Sequence, residues 1–236
     1  MSRHTLLVAA ILAASALPAQ AAQIQVSLTG LTDNTFVSSG DPCGTGLTGG
    51  NACNSQTIVI NLLVDTGAAP ADTNASATVG NYRVITGPGF ISGSATLNGR
   101  TFTLPVATAV DHTIDVYDNV NGGAFGILDR VQFAVLGSNV GNTVSFSVTP
   151  NVLMAGATYA GDGLDLLDDI AGSPLVFNGL QSLSNGSFNF KNATGEVLGQ
   201  YRLSSVAFSG SAVPAPPAVW LLGTAVAGLA ARRFRG

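Results

Sequence analysis

The sequence predicts an all-β protein: a single antiparallel β-sandwich, flanked by an N-terminal signal peptide and a short C-terminal transmembrane helix. Three observations carry this. Apolar residues recur with period two over short runs, the spacing that puts alternate side chains on one face of a strand. The runs are divided by turn residues, with 29 glycines in 236 residues and dipeptides such as Asn98-Gly99 that favour tight hairpins. Helical periodicity is weak between the two ends. About nine strands at this spacing suit two packed antiparallel sheets. The chain shows no tandem repeat of the kind that builds propellers and solenoids.

Residues 1–21 read as a secretory signal peptide. Arg3 and His4 form a polar start, Leu6 to Leu17 a mostly apolar core, and Ala19-Gln20-Ala21 a small-residue cleavage site that leaves Ala22 as the first mature residue. An uncleaved anchor is the alternative, but the apolar stretch is short for a span.

The body, residues 22–212, is long enough for one sizeable core. Gln23 to Thr29 alternates. Thr57 to Asp65 (TIVINLLVD) is a continuous apolar run, expected as a strand buried on both faces. Ala68 to Asn81 is rich in small and polar residues and is expected as a surface loop. Phe90 to Leu97 and Arg100 to Leu104 flank Asn98-Gly99 as a hairpin. His112 to Val120 and Arg130 to Leu136 follow, with Asn121-Gly122-Gly123 between them. Thr143 to Thr149 alternates through Val144, Phe146 and Val148. Ser187 to Lys191 puts Phe188 and Phe190 on one side, Asn192 to Gly195 turns, and Gly199 to Ser209 returns.

Charge narrows the partners. The body has five basic residues (Arg83, Arg100, Arg130, Lys191, Arg202) against thirteen acids, a formal charge of −8. No basic surface is available for nucleic acid. Only 9% of the whole chain is charged, so Ser, Thr, Asn and Gly must make the surface polar. That composition is common in secreted β-proteins.

Cys43 and Cys53 are the two cysteines, both in the loop-like stretch DPCGTGLTGGNAC. In an oxidising compartment they are expected to form a local disulfide. The spacing is not that of a redox C-x-x-C pair, and no His lies near enough in sequence to complete a zinc site.

No catalytic constellation is evident. Once the signal peptide is removed, His112 is the one histidine, with Asp111 and Asp115 as sequence neighbours. No G-x-S-x-G elbow accompanies it, and His112 is read as a polar residue at a strand end. Paired carboxylates of the glycosidase kind are left open, because their separation is not set by sequence.

Two acidic clusters are weighed as Ca²⁺ sites, since hard cations take oxygen ligands. Asp162, Asp165, Asp168 and Asp169 lie in GDGLDLLDDI, which reads either as a capped, solvated helix or as a cation site. Asp115, Asp118, Asn119 and Asn121 read either as a hairpin turn or as a second such site. Otherwise no cofactor is expected. The body lacks Trp, since Trp220 is in the tail, and four tyrosines (Tyr82, Tyr117, Tyr159, Tyr201) give little support to a dedicated lectin face.

The tail, residues 213–236, has three parts. Val213-Pro214-Ala215-Pro216 opens it. The uncharged stretch Pro214 to Ala231, 18 residues, would reach roughly 27 Å as a helix against a hydrocarbon core of roughly 30 Å. Arg232, Arg233 and Arg235 close it. This combination resembles the PEP-CTERM sorting signal of Gram-negative, exopolysaccharide-producing bacteria, with Ala215 standing where that family carries glutamate. The resemblance covers about a tenth of the chain and implies recognition by a membrane-embedded exosortase that removes the tail. A simple C-terminal anchor with its basic end in the cytoplasm is the alternative.

The expected function is therefore that of an exported surface or exopolysaccharide-matrix protein, structural or adhesive. Signal peptidase and exosortase would process it, and it would pass through an intermediate anchored in the inner membrane. A Ca²⁺-dependent carbohydrate-binding module is the second reading and a secreted hydrolase the third.

Overall fold

Alternation of apolar and polar residues becomes one large antiparallel sheet. A computed structural model describes residues 23–105, 109–121, 126–155, 163–164 and 184–211. Among them are twelve strands: β1 (Gln23–Gly40), β2 (Gly49–Gly50), β3 (Thr57–Asp65), β4 (Val79–Val84), β5 (Ile91–Leu97), β6 (Arg100–Thr103), β7 (Ala109–Asn121), β8 (Ile127–Ser138), β9 (Ser145–Val148), β10 (Asn151–Ala155), β11 (Asn185–Asn192) and β12 (Gly195–Ser211). They run in the order β4-β7-β8-β10-β11-β12-β1-β3-β5-β6, with β2 on β1 and β9 between β8 and β11. Ala22–Ser211 forms one compact unit. Residues 1–21, expected as a signal peptide, the acidic stretch at Asp165, Asp168 and Asp169 with Asp162, and residues 213–236, expected as a sorting tail, lie outside the described residues.

The strands belong to one hydrogen-bonded sheet, and that sheet doubles over its own apolar face. Phe102 on β6 stacks on Phe190 of β11, five lanes away, at a centroid distance of 4.8 Å. Near the other end, the Ile91 amide of β5 donates to Nδ1 of His112 on β7 at 3.2 Å. The core enclosed in this way is built from the alternate positions of each strand: Ile24, Val26 and Leu28 on β1, Ile58, Ile60, Leu62 and Val64 on β3, Val131, Phe133 and Val135 on β8. Burying each of these side chains contributes roughly 1.5–3 kcal/mol.

Turn chemistry sets the register. Asn98 (φ 47°) and Gly99 (φ 80°) both take left-handed backbone, as a type I′ turn requires, and Leu97 pairs with Arg100 across it. Asn192 pairs with Gly195 at the β11–β12 turn, where the Asn192 side chain accepts from the Thr194 amide at 2.8 Å.

The structure corrects three expectations. Thr57 to Asp65 is buried on one face only, with Val59 and Leu63 half-buried on the other between Thr and Ser/Gln neighbours. Antiparallel sheets permit a solvated face, and an apolar residue on it is tolerated. The Ala68 to Asn81 loop ends sooner, because Val79, Gly80 and Asn81 pair with β7 as the start of β4. His112 is not at a strand end. It is the fourth residue of β7 and 2% exposed. β9 and β10 are nearly one strand: they share the lane between β8 and β11, interrupted at Thr149-Pro150 because proline has no amide to give the ladder.

Candidate functional site

The cysteines meet as expected. Cys43 and Cys53 form a disulfide with Cα atoms 6.0 Å apart, and both are fully buried. Two buried threonines of β1 hold the loop to the sheet. Thr32 Oγ1 donates to the Cys53 carbonyl at 2.5 Å, and the Cys53 amide donates to Thr35 Oγ1 at 3.0 Å. Asn98 of the β5–β6 hairpin donates to the Cys43 carbonyl at 2.9 Å. The sequence carried no sign of these threonines beyond their place in an alternating strand.

The acidic residues of β7 do not converge. Asp115 accepts a hydrogen bond from the Asn81 side chain on β4. Asp118 accepts from Asn119 Nδ2 at 2.6 Å, and the Asn119 amide is directed to Asp129 on β8 at 3.2 Å. A bulge lies between Tyr117 and Val120, with Asn119 at φ 58°. Asn121 is exposed at the strand end. Among the described residues no group of three or more His, Cys, Asp or Glu is placed to hold a metal ion.

His112 and its neighbours are also separated. Strand alternation sends the His112 ring into the core, while Asp111 points outward to a two-bonded pair with Arg83 (2.8 and 3.1 Å). Burial holds His112 below its ordinary value of 6.5, against a smaller opposing effect of Asp111. The imidazole is therefore a neutral acceptor for Ile91, and Asp111 is directed to Arg83 and not to the ring.

What the fold does assemble is a polar groove on the outer face, holding about 580 Å³. Cross-strand register aligns one residue from each of six strands: Asn81 with Asp115, Asp115 with Gln132, Gln132 with Asn151, Asn151 with Asn185, and Asn185 with Arg202. At ordinary strand spacing this rung is about 24 Å long. A second rung runs parallel to its far end, Ser187 with Gln200 and Gln200 with Asp33.

The groove is tied together by its own side chains. Arg202 pairs with Asp33 at 3.4 Å, Asn34 Nδ2 donates to Gln200 at 3.3 Å, and Thr149 and Ser187 share a hydroxyl contact of 2.7 Å. Its position follows from Pro150: where the β9–β10 lane is interrupted, Thr149 and Asn151 line the opening. Tyr201 also lines it. The hydroxyl is fully buried against Gly186 without a hydrogen-bond partner, and burial raises it well above its ordinary value of 10.0.

Such a lining excludes an apolar ligand and suits one rich in hydroxyl groups. A carboxamide presents a donor and an acceptor side by side, and neighbouring strands repeat that pair at regular spacing. Comparison with protein-family models, with curated proteins and with solved structures finds no match to this chain.

Proposed function

We propose that this chain is an exported component of the cell surface or exopolysaccharide matrix of a Gram-negative bacterium, with a structural or adhesive role. In this reading signal peptidase removes residues 1–21. An exosortase-type peptidase acts at the tail, residues 213–236, and the sandwich-like body works outside the cytoplasm as a module without catalytic chemistry. The Cys43–Cys53 bridge carries the proposal, because two fully buried, bonded cysteines belong to an oxidising compartment. The three-part tail supports the destination. The separation of Asp111, His112 and Asp115 supports a binding or structural role over hydrolysis.

Deleting residues 213–236 in the native host tests this. The protein is expected to lose its surface or matrix association while still crossing the inner membrane. Unchanged delivery of the shortened chain would overturn the sorting role of the tail.

A further inference from the structure

We propose that the groove between β8 and β1 is a binding site for an extended neutral polysaccharide, read by carboxamides across the strands and not by aromatic stacking. The inference rests on the matrix role above and gives that role a site.

Four observations converge. First, Gln132, Asn151 and Asn185 occupy adjacent lanes at one register level, and Gln200 lies one level away, so carboxamides recur at strand spacing. That spacing is close to the advance of one pyranose along an extended glycan, so each lane can meet the hydroxyls of about one sugar. Second, the side-chain oxygen of Asn151 has no hydrogen-bond partner, although it lies beneath the surface between two other carboxamides. A polar atom buried in this way costs free energy that a hydroxyl donor would recover after a small side-chain adjustment.

Third, the groove carries one full charge of each sign, Arg202 and Asp33, and they pair with each other. With the body at −8, a polyanion would be repelled and a neutral chain would not. Fourth, the fully described floor offers no exposed aromatic ring: Tyr201 is buried, so recognition falls to hydrogen bonds. Each is worth little net against water, which predicts modest affinity per site and a dependence on many copies along one polymer.

The test is affinity electrophoresis of the mature protein purified from its host with the disulfide intact. Separate gels contain the host's own exopolysaccharide, a neutral β-glucan, a polyuronate, or no polymer, each with and without EDTA. Retardation by the host polymer or the β-glucan, unchanged by EDTA, is expected. The double variant Asn185→Ala/Gln200→Ala, at two exposed positions, is expected to weaken it about tenfold or more at an unchanged melting temperature. Thr96→Ala/Thr101→Ala, on the hairpin away from the groove, is expected to leave it intact.

Retardation by the polyuronate alone, loss with EDTA, equal binding by the groove variant, or no retardation in any gel would each overturn the proposal. Binding that survives while the protein is found in the cytoplasm would instead overturn the matrix reading and leave the site standing.

Discussion

The ring of Phe102 lies on the ring of Phe190 at 4.8 Å and an interplanar angle of 18°, and this contact joins two strands that are not neighbours in the sheet. Phe190 also meets Phe146 at 5.1 Å and Phe188 at 5.1 Å. It is the centre of an aromatic cluster that holds the doubled sheet shut.

Phe190→Ala should therefore lower the unfolding free energy by about 3–5 kcal/mol, the range for emptying a fully buried aromatic site. Urea denaturation followed by fluorescence or circular dichroism reads this. Leu in place of Phe190 should recover part of the loss. A cost under about 1 kcal/mol would mean that the cluster does not hold the two layers together.

His112 makes stability depend on pH in one window. Its folded value lies below the ordinary 6.5 because the ring is buried. The unfolded chain thus takes up a proton that the folded chain refuses, so this stability is present above 6.5 and is lost progressively as pH falls from 6.5 through the lowered folded value. The slope cannot exceed about 1.4 kcal/mol per pH unit for one group. Asp111, held below 3.8 by the Arg83 hydrogen bond, contributes stability that is lost only at still lower pH. His112→Gln should flatten the curve between pH 7 and 5.5, at a lower overall stability. A slope that persists in the variant would place its origin elsewhere.

Reducing the disulfide should cost about 2–3 kcal/mol, the entropy of closing so short a loop. The consequence should be local. Thr32, Thr35 and Asn98 lose their anchored partners, so faster amide exchange is expected over residues 41–56, with the sheet strands still protected. Global unfolding on reduction would show that the bridge supports more than its loop.

Gly186 is required by Tyr201. A Cβ at position 186 would come within 2.3 Å of the Tyr201 hydroxyl and 2.8 Å of the Thr149 carbonyl. Gly186→Ala should destabilise by about 1–3 kcal/mol through overpacking. Tyr201→Phe in the same chain should relieve part of that, a coupling that a double-mutant cycle measures. Strict additivity of the two changes would contradict the contact.

Much of the fold was legible because it is local. The hairpin at Asn98-Gly99 and the alternation at Val131, Phe133 and Val135 announce strands directly, and both stand in the structure. β4 was hidden, since Val79 to Val84 shows little alternation and forms only by pairing with β7. The apolar run at β3 misled for a related reason: burial on one face is set by which strands lie opposite, and these are far away in sequence.

The disulfide could be read from two cysteines and a compartment. The groove could not. Gln132, Asn151, Asn185 and Arg202 are ordinary polar residues in four separate segments, and only long-range register sets them on one rung. Of the two clusters that did stand out in sequence, Asp162, Asp165, Asp168 and Asp169 lie outside the described residues, and of Asp115, Asp118, Asn119 and Asn121, Asp115 is bonded to Asn81 while the Asn119 amide is directed to Asp129.

Intact-mass spectrometry of the protein recovered from the surface or matrix fraction tests the central claim most directly. The account predicts a chain that begins at Ala22, lacks the residues after the Val213-Pro214-Ala215-Pro216 motif and is two hydrogens lighter than its reduced form, through Cys43 and Cys53. Full-length protein with both ends retained and free thiols, found inside the cell, would contradict it.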